Sequence, residues 1–149
     1  MEKRIRKITD SYRCMLIYLF GSQASLGKQY LEGERVRPSP FSDLDVAVAF
    51  QEPPRDTLYI YGKLYAELAE IFEPFSIDLV FMHELNPLFQ FEIIKGILLF
   101  EKDKNMTYDF EERVMKQAGD LYFKKQIFDA DTMEAIEHGY IEFEYVPHS

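Results

Sequence analysis

The stretch LFGSQASLGKQYLEGERVRPSPFSDLDVAVAF, residues 19–50, decides how this chain folds. An apolar run, CMLIYLF at 14–20, closes on Gly21-Ser22; a polar segment of Gly, Lys, Arg and Pro follows; a second apolar run then opens behind Asp43 and Asp45. A short, continuous apolar run bounded by turn residues is the pattern of a strand buried on both faces. DLDVAVAF, β-branched and apolar after its two acids, is a second such strand entered from a polar edge. Residues 27–42 show no periodicity and read as a loop, while QASLG behind the Gly-Ser turn is placed to open a short helix.

Working outward, Ile5, Ile8 and Tyr12 lie at helical spacing and predict an amphipathic helix over 2–13. Leu58, Tyr61, Leu64, Tyr65, Leu68, Ile71 and Phe72 predict another over 56–73, with Asp56 or Thr57 as N-cap and Pro74 as its stop. SIDLVFM is a third strand. NPLFQFEIIKGI is a short helix with Asn86 as N-cap and Pro87 in its first turn, where a missing N–H costs nothing. LLFE is an edge strand, and Phe110, Val114, Ala118, Leu121 and Tyr122 predict a last helix from Thr107 to about Phe128. This order predicts an α/β (α+β) domain: a small central sheet with helices packed on one side of it and a helical C-terminal segment. At 149 residues the chain is read as a single domain, 1–149, with a core over about 1–105 and a helical extension over about 106–149.

Composition narrows the function. The net charge of -9 opposes a phosphate backbone, so no direct nucleic-acid binding is expected. Cys14 is the only cysteine, which rules out an internal disulfide and fits a cytoplasmic setting. The apolar run behind the basic start MEKRIRKITDSYR is too short for a signal peptide or a membrane span, so a soluble, unprocessed protein is expected. His83, His138 and His148 have no metal-site spacing and read as surface or structural residues. The acids Asp129, Asp131, Glu134, Glu137, Glu142 and Glu144 read as a solvated face and terminus, with docking on a basic partner as the alternative.

The chemistry rests on the carboxylates. Alternate residues of a strand project from one face, so Asp43 and Asp45 converge with Leu44 directed away. Two ionised carboxylates that close repel unless a cation or strong donors lie between them. Oxygen-only ligands suit Mg²⁺ or Mn²⁺, completed by water and substrate phosphates. Asp78 is the only charged residue in FSIDLVFM, and such an acid is costly unless paired or ligating. If its strand lies beside the one carrying Asp43 and Asp45, three acids face one place, as metal-assisted phosphoryl or nucleotidyl transfer requires. Gly21 and Ser22 offer backbone N–H groups and a hydroxyl to phosphate oxygens. Singly, each feature has a plainer reading as a turn, a solvated strand edge or a structural ion pair; their occurrence together and in this order does not.

In that order these residues resemble the polymerase-β-type nucleotidyltransferase superfamily, and within it the minimal nucleotidyltransferases, antitoxin partners of HEPN-domain ribonuclease toxins. LFGSQASLG, SDLDVAVAF, IDLVFM and FEIIKGILLFE carry the resemblance. It implies a nucleotidyltransferase fold, Mg²⁺ held by Asp43 and Asp45 with Asp78 as third acid, and Gly21 and Ser22 against the phosphates of ATP. It further implies transfer of AMP to a tyrosine hydroxyl of a HEPN toxin, in a hetero-oligomer with that toxin. The alternatives are a small-molecule acceptor such as an aminoglycoside hydroxyl, and an antitoxin with weak catalysis that acts by binding alone. The sequence departs from the family pattern twice. The segment from Gln23 to Ser42 is about twice the usual length, which slow growth of loop-closure cost permits. An arginine common soon after the Gly-Ser turn is missing, with Ser25 in that region, leaving Lys28, Arg35 or Arg37 to supply a cation.

Overall fold

The structure is a computed structural model and describes residues 1–137, with side chains described as far as residue 130. Four strands form a mixed sheet in the order β3-β2-β1-β4. β1 (Cys14–Phe20) runs antiparallel to β2 (Leu44–Phe50) and to β4 (Ile97–Glu101), and β2 runs parallel to β3 (Ile77–Phe81). The two continuously apolar strands take the two inner positions, because only there are both faces of a strand covered. Ile17, Leu19, Val46, Val48, Ile77, Leu79 and Phe81 face one layer. Leu16, Tyr18, Ala47 and Ala49 face the other.

Helices therefore pack on both faces, where the sequence predicted one. α1 (Glu2–Tyr12), α2 (Ala24–Leu31) and α3 (Thr57–Phe72) cover the first face through Ile5, Ile8, Ala24, Leu64, Leu68, Ile71 and Phe72. α4 (Pro87–Ile94) and α5 (Lys104–Glu137) cover the second through Ile93, Phe110 and Val114. A strand that is apolar throughout records that both faces are buried, not which elements bury them. Periodicity did locate the helices: Asp56 Oδ1 accepts the Tyr59 N–H at 3.2 Å at the start of α3, and Asn86 Oδ1 accepts the Phe89 N–H at 3.0 Å at the start of α4.

Two boundaries differ from the sequence expectation. The predicted loop 27–42 begins instead at residue 32, because α2 continues to Leu31. Its inner face is masked by Gly27, which reads as a loop residue. In the fold, an added Cβ at Gly27 would stand 2.7 Å from Leu44 Cδ1, so a glycine there lets the helix lie close on the sheet. α5 starts at Lys104 and runs to Glu137, well past Phe128. Asp103 caps it, its Oδ1 accepting the N–H groups of Asn105 at 2.8 Å and Met106 at 3.1 Å. Of the acidic run, Glu142 and Glu144 lie outside the described residues, as do His138 and His148. His83 lies at the surface with its ring stacked on Phe81, 5.8 Å between centroids. Among the described residues no helix is long and apolar enough to cross a membrane.

Candidate active site

The polar start of β2 meets the end of β1 on one flank and β3 on the other. Asp45 is the register partner of Phe20 across the antiparallel ladder and of Asp78 across the parallel one. In register, parallel strands place partner side chains on the same face. Asp45 and Asp78 share the face of Ala47 and Ala49, which α4 and α5 cover farther along the strands. Asp43 lies one residue ahead of β2. Asp45 is partly buried, whereas Asp43 and Asp78 are exposed, so the site is an open mouth at the edge of the helix layer.

The carboxylates act on one another. Partial burial, and after it the negative charges of Asp78 and then Asp43, hold the Asp45 carboxyl above the usual carboxylate range. Asp78 and Asp43 thus both lie within electrostatic reach of Asp45. The exposure of Asp78 removes the argument that it must be satisfied as a buried charge; its register with Asp45 is what brings it to the site.

Gly21 completes the mouth. Its backbone is left-handed, with φ 75°, and a Cβ there would overlap Asp45 Oδ2. Any side chain would both strain the turn and displace the carboxylate. Ser22 follows, exposed, and then α2 begins with no side-chain cap. An uncapped helix N-terminus beside a Gly-Ser turn presents N–H groups to an anion.

Two residues that the sequence did not single out shape this region. Gln23 is buried, its Oε1 accepting the Ser39 N–H at 2.7 Å while its Nε2 donates to the Ser42 carbonyl. It ties the approach to Asp43 onto the start of α2. Its partners lie sixteen and nineteen residues away, beyond any local sequence signal. Tyr61, placed by its periodicity in the core stripe, donates its hydroxyl to the Leu79 carbonyl at 2.7 Å. Burial first, and then the charge of Asp78, raises its pKa, so it stands near the third acid. Of the three candidate cations, Lys28 pairs with Glu32 at 3.9 Å and lines a hollow with Glu2, Arg6 and Leu98, beside β4. Arg35 and Arg37 are exposed on segment 32–43.

Hard carboxylate oxygens from Asp43 and Asp45, with Asp78 in register beside them, suit a divalent cation of the Mg²⁺ kind. Among the described residues no group of three or more acidic, histidine or cysteine side chains is placed to hold a metal ion by itself. That agrees with the habit of Mg²⁺, which takes one or two carboxylates and fills its shell with water and substrate phosphates. The residues fit such an ion when a phosphorylated substrate completes its coordination.

A mixed sheet with an Asp-x-Asp at the head of one strand, a third acid in register beside it and a Gly-Ser turn against them defines a nucleotidyltransferase-type site. The family model described as "Polymerase beta, Nucleotidyltransferase" matches residues 3–105, and the chain belongs to that family. Comparison with curated proteins gave no match. Among solved structures, the fold is similar to a chain of a toxin–antitoxin complex with AMP-PNP: TM-score 0.61, 21% identity, covering 89% of this chain and 98% of that one. It is also similar to a chain of a tri-AMPylated Shewanella oneidensis HEPN toxin in complex with its MNT antitoxin: TM-score 0.60, 20% identity, covering 89% and 95%. The toxin–antitoxin pair MntA–HepT gives TM-score 0.60 at 19% identity, covering 89% and 96%. At these identities the likeness is one of fold.

Proposed function

We propose that this protein is a cytoplasmic, Mg²⁺-dependent nucleotidyltransferase that moves AMP from ATP to a tyrosine hydroxyl of a HEPN ribonuclease toxin, and so acts as that toxin's antitoxin. The observation that carries the reading is the register of Asp45 with Asp78, with Asp45 lying against Gly21. Support for the acceptor comes from the relatives of like fold, which are complexes of toxin and antitoxin, one of them carrying AMP.

In this reading Gly21, Ser22 and the first N–H groups of α2 hold the triphosphate oxygens, and Asp43 and Asp45 would hold the cation with Asp78 as the third acid. Mg²⁺, when bound, offsets the carboxylate charges and the charge that builds on the phosphates. Asp78, on the outer flank of the site, aligns the acceptor hydroxyl and takes its proton as the oxygen attacks the α-phosphorus. The bond to the bridging oxygen breaks and pyrophosphate leaves. Gly21, by keeping its side of Asp45 free of a side chain, lets the triphosphate approach the carboxylates.

The test is incubation with α-labelled ATP, Mg²⁺ and the product of the adjacent gene, the partner expected to be a HEPN toxin. Label on that protein, lost with Asp43→Asn or Asp45→Asn, is the expected result. Label only on an added aminoglycoside would assign a small-molecule acceptor, and tight toxin binding without label would assign an antitoxin that acts by contact. Failure to bind ATP with Mg²⁺ would rule out both enzymatic readings.

A further inference from the structure

Segment 32–43 joins α2 to β2 without regular structure, and its last part is tied down. Gln23 is one of three buried polar side chains among the described residues, at 3% exposure. Burying an amide costs free energy unless its donor and acceptor ends are both bonded. Here both ends are used on this segment, at Ser39 and at Ser42. Between those two anchors the Phe41 N–H donates to Ser39 Oγ at 3.2 Å, tightening the turn.

What the turn holds up is the ring of Phe41, 94% exposed and the most exposed large apolar side chain of the described residues. It stands two positions ahead of Asp43. A phenylalanine in water forgoes the burial energy that its ring ordinarily contributes. A buried glutamine spent on fixing the turn beneath such a ring is the arrangement of a side chain meant to be covered by something else.

We propose that Phe41, held in place by Gln23, is the residue on which the acceptor protein docks beside the carboxylates, so that acceptor choice is set in segment 32–43. This rests on the reading of the site as one that transfers AMP to a protein. A folded partner fits better than the adenine ring. A stacked base needs a walled slot, and neither face of Phe41 is walled, whereas a partner brings its own pocket and aromatic anchors are favoured at interface centres. Arg35 and Arg37, exposed on the same segment, add cations that a partner's carboxylates complement.

The experiment is steady-state AMP transfer to the product of the adjacent gene, the partner expected to be a HEPN toxin, each substrate varied with the other saturating. Phe41→Ala is expected to raise KM for the toxin about ten-fold or more, the loss typical of an interface anchor, with kcat and KM for ATP within about two-fold of wild type. Phe41→Tyr restores the toxin KM. Gln23→Ala moves it in the same direction, and the double variant adds little to Phe41→Ala because both act through one contact. A thermal midpoint unchanged by Phe41→Ala, expected for so exposed a ring, separates lost docking from lost folding. An unchanged toxin KM overturns the proposal, and so does a raised KM for ATP alone, which would assign the ring to the nucleotide. If wild type binds the toxin but transfers no AMP, the transfer reading fails by itself. Calorimetric binding without ATP then carries the test: about a ten-fold weaker Kd for Phe41→Ala supports docking, and an equal Kd overturns it. A toxin that wild type does not bind overturns both.

Discussion

The Cα of Gly21 lies against the carboxylate of Asp45, so close that a methyl group there would overlap Oδ2. The turn that ends one strand and the acid that heads the next are one structural object. Gly21→Ala is therefore expected to cost about 1–2 kcal/mol from its positive φ alone, and AMP transfer is expected to fall by about 100-fold as Asp45 is displaced. Gly33 is the control. Its φ is also positive, at 90°, but nothing lies within 4 Å of an added Cβ. Gly33→Ala is expected to show a similar loss of stability by thermal unfolding with transfer rates unchanged. Equal activities for the two variants would detach Gly21 from the site.

Asp45 carries a charge that its surroundings in the fold disfavour. Its carboxyl is held above the ordinary range by burial first, then by Asp78 and Asp43. The folded protein thus holds this proton more tightly than the unfolded chain does. Stability from this group is full below the unfolded-state pKa and is lost as pH rises through the raised folded-state value. Asp45→Asn, which removes the charge, is expected to raise the thermal midpoint at pH 7 without Mg²⁺. The gap between variant and wild type closes as pH falls toward about 4. A gap that widens on acidification would contradict the charge arrangement described for the three acids.

Tyr18 offers a purely structural counterpart. Its buried hydroxyl donates to Glu111 Oε1 at 2.6 Å, binding α5 to the centre of the sheet. Burial, and then that bond, raises its pKa, so the hydroxyl stays protonated throughout the working range. Tyr18→Phe is expected to cost about 1–2 kcal/mol, a fall of roughly 3–8 °C in Tm, with the kinetics of AMP transfer unchanged below the transition. Calorimetry and a transfer assay on one preparation check both halves.

The strands and most helices could be read from the sequence because their signals are local: apolar runs closed by Gly or Pro, and caps such as Asp56 and Asn86 within three residues of the groups they bond. The three acids were visible for the same reason, since each interrupts or heads an apolar run. That Asp78 joins Asp43 and Asp45 was readable only as a condition, because it depends on β2 and β3 being adjacent, parallel and in register at Asp45 and Asp78. The continuation of α2 was hidden by Gly27, a residue chosen for close packing on Leu44. Gln23 was invisible for a third reason, its partners being far away along the chain, although it fixes the approach to the site.

The central claim is that Asp45 and Asp78 act as one unit, and a double-mutant cycle on AMP transfer tests it most directly. Each of Asp45→Asn and Asp78→Asn is expected to lower kcat/KM by about a thousand-fold or more, with the double variant no worse than the poorer single one, as for groups that work only together. Losses that multiply in the double variant, or an Asp78→Asn variant that keeps wild-type transfer, would contradict it.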